Sequence, residues 1–178
     1  MANEPSTVMA SGAWGAAGVT DIGEDGGVSG AESRAAVGDG GRWGARVTVI
    51  RQSAPAGLAH AVKEAEGYIA GEPFVMYLGD NLVIDGITCF VGQFRKSQPD
   101  ALILLARVAA PERFGVAELR DGQVVGLEEK PAHPKSDLAL VGVYLFTARI
   151  FEAVHAIKPS ARGELEITDA IQWLMDHG

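Results

Sequence analysis

Two acids, a lysine and a glutamine are the residues most able to do chemistry. Asp80 stands in FVMYLGDN, Phe74 to Asn81, directly behind a short apolar run. A carboxylate there can hold Mg²⁺, which keeps several waters and takes one or two acids plus phosphate oxygens. Gly-Asp-Asn is equally the composition of an ordinary turn. Lys130 belongs to LEEKP, Leu127 to Pro131, with Glu129 beside it. The ammonium suits a phosphate and the carboxylate suits sugar hydroxyls, although a solvated charge cluster would read the same. Gln52 precedes SAPAGLAH, where a side-chain amide can pair with a nucleobase edge and Gly57 permits close backbone approach. A polar loop residue before a helix is the other reading. Gly115, in RFGVAE, starts a strand after a loop and marks either a ligand contact or a tight bend. RGELEITD, Arg162 to Asp169, gathers acids at a helix entrance, where the helix dipole favours them whatever the function.

Regular elements must position these residues, and the pattern that predicts them begins near Arg46. RVTVIRQ reads as a strand from its β-branched content. Leu58, Val62, Ala65 and Ile69 recur at helical spacing. FVMYL and ALILLARV are short apolar runs suited to strands covered on both faces. Ile87, Phe90, Val91 and Phe94 mark a helix between them. GVAELR and QVVGLEEK flank Asp121-Gly122, a strong hairpin signal. ALVGVYLF is a further strand. Ile150, Phe151, Val154 and Ile157 give one more helix, and Ile167, Ala170, Ile171, Leu174 and Met175 a last one, opened by Thr168 or the acids before it. Strands alternating with crossover helices predict an α/β fold: a Rossmann-like, mostly parallel sheet with helices on both faces and an added β-hairpin. In such sheets ligands lie beyond the carboxyl ends of the strands, where Asp80 falls.

The chain before Arg46 reads differently. Eleven of the 23 glycines lie there, in stretches such as GAWGAAG, GEDGGVSG and GDGGRWG. Few side chains remain to pack, and no strand is predicted. The expected division is a Gly-rich, irregular segment over 1–45 and a core over 46–178. Neither GxGxxG nor GxxxxGK[ST] occurs in a strand-to-helix setting, so a nucleotide loop is not indicated. A net charge of -8 without a basic stripe argues against a nucleic-acid polymer. The lone Cys89 excludes an internal disulfide, and His60, His133, His155 and His177 lack ligand spacing. With no membrane-length apolar run and no signal-like start, a cytoplasmic protein is expected.

QSAPAGLAHA, FVMYLGDN, RFGVAE, EEKP, ALVGVYLF and RGELEITDAI, in that order, resemble the sugar-1-phosphate nucleotidylyltransferases, most closely the glucose-1-phosphate thymidylyltransferases. The resemblance covers about Arg46 to Gly178. It implies a nucleotide-diphospho-sugar transferase-like core, with Mg²⁺ as cofactor and dTTP and glucose 1-phosphate as substrates. The products are dTDP-glucose and pyrophosphate. By position, Asp80 resembles the catalytic metal acid of the LGDN motif, with Asn81 next to it. Lys130 looks like the catalytic lysine on the sugar phosphate, and Glu129 like the residue on the glucose hydroxyls. Gln52, Gly57 and Leu58 match the positions around the pyrimidine, Gly115 and Gly142–Val143–Tyr144 the walls of the sugar pocket, and Arg162 a further phosphate contact. Assembly of copies is common in that family. The family's Gly-rich GTR loop finds no match before Arg46, nor does its second metal aspartate after the last helix, and little turnover is expected of the polypeptide as written. A uridylyl- or guanylyltransferase, or a non-catalytic sugar-phosphate-binding regulatory subunit, are the alternatives.

Overall fold

The structure, a computed structural model, describes residues 17–25, 38–41 and 44–178. Aliphatic runs and turn residues resolve into seven strands and four α-helices among these residues. They are β1 (Asp21–Asp25), β2 (Arg46–Ile50), α1 (Leu58–Ile69), β3 (Phe74–Tyr77), α2 (Thr88–Ser97) and β4 (Ala101–Arg107). There follow β5 (Gly115–Arg120), β6 (Gln123–Glu129), β7 (Leu138–Phe146), α3 (Arg149–Ala156) and α4 (Ile167–His177).

β7 is the spine of the fold. β3 and β4 lie on its two sides, both antiparallel to it, and β5 also runs antiparallel to it. β3, β4 and β5 therefore share one direction, interleaved with β7 and with β6, which pairs with β5 in a hairpin. The α/β class with crossover helices stands, but the like-directed strands are not direct neighbours in this mixed sheet. The hairpin closes through Asp121 and Gly122, at φ 53 and 77, both in the left-handed region that a two-residue turn of this hand requires.

Because successive side chains of a strand point to opposite faces, β7 serves two cores. Leu140, Tyr144 and Phe146 enter one, with Ala59 and Val62 of α1 and the buried faces of α3 and α4. Val143 and Leu145 enter the other, with Val91 and Phe94 of α2. Helices thus cover both faces of β7, which accounts for its near-continuous apolar sequence.

One expectation is overturned. A strand precedes Arg46: DIGED forms β1 and pairs in parallel with β2, from Asp21↔Arg46 to Asp25↔Ile50. Propensity argued against it, but pairing with a neighbour decides strand formation. Gly23 fits because Tyr68 and Ile50 lie over it; a Cβ there would come within 2.7 Å of both side chains. GAWGAAG up to Ala16, GEDGGVSG after Asp25, and Arg42 and Trp43 lie outside the described residues. β1 and β2 form a sheet separate from the five-stranded one. Between the two runs a groove of about 1020 Å³, lined by Ile22, Gly23, Leu58, Tyr68, the whole of β3 and the loop through Asp80.

Candidate active site

Asp80 leaves β3 in a loop fastened to β7. The Leu78 N–H donates to the Gly142 carbonyl at 2.7 Å, and the Gly142 N–H donates to Asn81 Oδ1 at 3.2 Å. Asn81 Nδ2 then donates to Asp80 Oδ1 at 2.8 Å. Asn81 therefore aims the carboxylate, and Gly142 must be bare, since a Cβ there would strike Asn81 Nδ2 and sit 2.8 Å from Leu78. The Gly-Asp-Asn turn and the site reading are not exclusive: the turn is what points the acid.

The second group gathers at the end of β6. Gly115 and Glu129 are direct cross-strand partners. Glu129 is half-buried, and burial is the main cause that raises its carboxyl above the ordinary range. The Thr168 hydroxyl opposes that rise by donating to Oε2 at 3.0 Å. The charge of Glu166 adds to it, while Arg162 and Lys130 lower it. Lys130 Nζ lies 4.0 Å from Glu129 Oε1. The lysine backbone sits at φ 43, a conformation costly for a residue with a side chain. Its N–H is held by the Phe114 carbonyl at 2.9 Å, which helps fix the strained turn.

Tyr144 joins the two groups. It is 4% exposed, and its phenol is pushed up to about 12, first by burial, then by the charge of Glu129 and then by that of Asp80. Both acids thus act on one buried hydroxyl that stays protonated at neutral pH. Val143, by contrast, turns its side chain wholly into the opposite core, so it offers a pocket no side-chain wall.

Gln52 and Gly57 stand near the entrance of α1. Gln52 Nε2 is 3.2 Å from His60 Nδ1. An amide nitrogen only donates, so that ring nitrogen accepts, and Nε2 faces Glu64 Oε1 at 3.4 Å. Gly57, at φ 100, packs against the Leu165 carbonyl so closely that no Cβ fits. Here its bareness serves the contact between α1 and the loop before α4. Leu58 lines the groove with Asp80, whereas Glu129, Lys130 and Gly115 do not. Of the predicted residues, Leu58 and Asp80 line the groove, Glu129, Lys130 and Gly115 gather at the end of β6, and Asn81 ties the Asp80 loop to Gly142 of β7.

The matching family model is that of the nucleotidyl transferases, over residues 29–178. The chain belongs to this family. A glucose-1-phosphate thymidylyltransferase of Streptomyces griseus is 56% identical over 179 residues, covering 100% of this chain and 50% of that protein. Its counterpart in Streptomyces antibioticus is 57% identical over 180 residues, with 100% and 51% covered. The chain spans about half the length of these relatives. A solved Bacillus anthracis protein described as a glucose-1-phosphate thymidylyltransferase, in complex with a sucrose, superimposes with a TM-score of 0.84 at 34% identity, over 94% of this chain and 68% of that one.

Within this nucleotidyl transferase, the residues that sequence reasoning passed over are Glu166, Thr168 and His60. Arg162 Nη2 donates to Glu166 Oε1 and Oε2 at 2.8 and 2.9 Å, and lies 3.5 Å from Glu129 Oε1. Ser160 Oγ donates to the same Glu166 at 2.7 Å. The acids of RGELEITD are therefore more than dipole partners: Glu166 is 4% exposed and tied to an arginine. A threonine on the apolar stripe of α4 was the signal that could have marked Thr168. Among the described residues no three His, Cys, Asp or Glu gather to hold a metal ion. Asp80, with one oxygen oriented by Asn81, could hold a divalent metal ion that takes its other ligands from water and phosphate. No helix among the described residues is long and apolar enough to cross a membrane.

Proposed function

We propose that the site transfers a nucleotidyl group from dTTP to glucose 1-phosphate, giving dTDP-glucose and pyrophosphate. The observation that carries this is the pair of oriented acids: Asp80, aimed by Asn81, and Glu129, anchored on Thr168 with Lys130 Nζ 4.0 Å away. Family membership and the activity of the half-matched relatives support it. A phosphate oxygen of glucose 1-phosphate attacks the α-phosphorus of dTTP. That P–O bond forms as the bond to the bridging oxygen breaks, and its electron pair leaves with pyrophosphate. Such chemistry needs positioning and charge neutralisation more than covalent help.

In this reading Lys130 holds the phosphate of glucose 1-phosphate and Glu129 accepts from the glucose hydroxyls. Tyr144, protonated, offers a donor and no charge. Gly115 leaves room beside Glu129, and Gly142 leaves room for Asn81. Gln52 reads the pyrimidine edge with an amide oriented by His60, next to Gly57 and Leu58. Arg162 commits its donors to Glu166, so it braces the pocket rather than gripping a phosphate alone. Asp80 would hold Mg²⁺, and the bound ion would neutralise the triphosphate.

The test is calorimetry with glucose 1-phosphate and with dTTP plus Mg²⁺, alongside pyrophosphate release, on the chain and on Asp80→Asn. Loss of the magnesium-dependent part of dTTP affinity in Asp80→Asn, with glucose 1-phosphate still bound, is the expected outcome. Sugar-phosphate binding without affinity for any nucleotide would replace this reading with the regulatory-subunit one. Stronger binding of UTP than of dTTP would move the donor to uridylyl.

A further inference from the structure

Thr168 stands where sequence suggests a helix cap, and it does not cap. The N-cap of α4 is Glu166, and Thr168 is its second helical residue. The threonine is 1% exposed, and both branches of its side chain are engaged. The methyl lies over Gly115, where a Cβ would come within 2.5 Å of Cγ2. The hydroxyl donates to Glu129 Oε2 at 3.0 Å. A β-branched side chain has limited χ1 freedom in a helix, and burial of both branches holds the hydroxyl on Glu129.

The two oxygens of Glu129 are thereby made unequal. Oε2 is anchored inward on Thr168, while Oε1 faces the cations, 4.0 Å from Lys130 Nζ and 3.5 Å from Arg162 Nη2. A carboxylate free to rotate would present either oxygen to a sugar hydroxyl. One anchored on a single side presents the other in one orientation.

α4 itself is held in place from two directions. Arg162 and Ser160 bind Glu166 at its N-cap. Leu165 exchanges backbone bonds with the α1 entrance, donating to the Ala56 carbonyl at 2.8 Å and accepting from the Ala59 N–H at 3.1 Å. The hydroxyl that orients Glu129 is thus part of a segment that also touches the Gln52–Leu58 side.

We propose that Thr168 is a positioning residue for sugar-phosphate recognition: its hydroxyl turns Glu129 Oε1 toward the glucose hydroxyls. This rests on the reading of Glu129 as the sugar-binding acid. It acts through Glu129 and touches no reacting atom.

The experiment is calorimetric titration of glucose 1-phosphate into the chain and into Thr168→Val, Thr168→Ser, Glu129→Gln and the double variant Thr168→Val/Glu129→Gln, with thermal melts of each. Thr168→Val keeps the shape and removes the donor, and is expected to weaken binding about ten-fold, the scale of one charge-assisted hydrogen bond. Thr168→Ser keeps the donor and is expected to bind within about two-fold of the original even if its melting temperature falls. In the double variant the valine is expected to add nothing to the loss from Glu129→Gln, the non-additivity of residues acting as one unit.

Unchanged affinity in Thr168→Val, or additive losses in the double variant, overturns the proposal. Should Thr168→Val not fold, Thr168→Ala is compared with Thr168→Ser: ten-fold weaker binding by the alanine variant alone upholds the proposal, and equal binding by the two overturns it. The two readings fail separately. Undiminished affinity in Glu129→Gln, or no binding by the original chain, removes the pocket reading and this inference together. Normal binding that depends on Glu129 but not on Thr168 removes only the inference.

Discussion

Around β7, Leu140, Tyr144 and Phe146 are committed to one core and Val143 and Leu145 to another, and the polar groups of the neighbouring site have partners: Asn81 on Asp80, Thr168 on Glu129, Arg162 on Glu166. Around β1 the chain has a two-stranded parallel sheet, an exposed Arg46–Asp21 ion pair at 2.6 Å, and a groove of about 1020 Å³ on the side toward β3. A two-stranded sheet is marginal by itself, and an exposed ion pair adds little. The candidate site spans this contrast. Its Glu129–Lys130 half is built on the tightly packed side, and Asp80 lies where the packed sheet meets the groove.

The sharpest way to break that contrast is amide hydrogen exchange. Amides of β7 are expected to exchange on the order of 1,000-fold more slowly than those of β1, since β7 opens only with the cores and β1 opens locally. Equal protection would mean that the two sheets share one cooperative unit.

Two glycine substitutions set the sides against each other. Gly142→Ala pushes a methyl into Asn81 Nδ2 and Leu78, both held in the packed loop, and is expected to destabilise the fold by about 1–3 kcal/mol in denaturant melts. Gly23→Ala meets the Cδ1 end of Ile50 and the ring edge of Tyr68, both of which line the open groove, and should cost less, about 1 kcal/mol. The reverse order would show that the groove side is the better packed.

The smallest effect concerns pH. Glu129 has its carboxyl raised in the fold, chiefly by burial. Its contribution is therefore fully present below the ordinary value of 4.5 and is lost as pH rises through the higher folded value. At neutral pH the ionised form carries a cost, so Glu129→Gln is expected to melt at a slightly higher temperature at pH 7. It should lose that advantage as the pH falls toward 4, while binding glucose 1-phosphate more weakly. A lower melting temperature at pH 7 would mean that the Lys130 and Arg162 pairings outweigh the burial of the charge.

Much of the packed side was legible in the sequence because burial leaves a period. Leu58, Val62, Ala65 and Ile69 announced α1 at their helical spacing, and Asp121-Gly122 announced the hairpin, since few other residues accept two successive left-handed positions. The motif order also brought Asp80, Glu129 and Lys130 forward as candidates. β1 was not legible, because DIGED has neither alternation nor β-branched density, and its strand state comes from β2. Nor was the facing of Val143 legible: as the chain neighbour of Tyr144 it turns its side chain to the opposite face of the strand.

Composition, period and turn chemistry by themselves determined which segments become strands and helices from Arg46 onward, because those signals are local and each residue carries its own preference. Only the tertiary structure decided that like-directed strands would be separated by β7, that DIGED would be a strand, and that Thr168 would face Glu129 across 39 positions of chain. These depend on which surfaces meet, and a meeting between distant segments is set by the packing of both rather than by the residues of either.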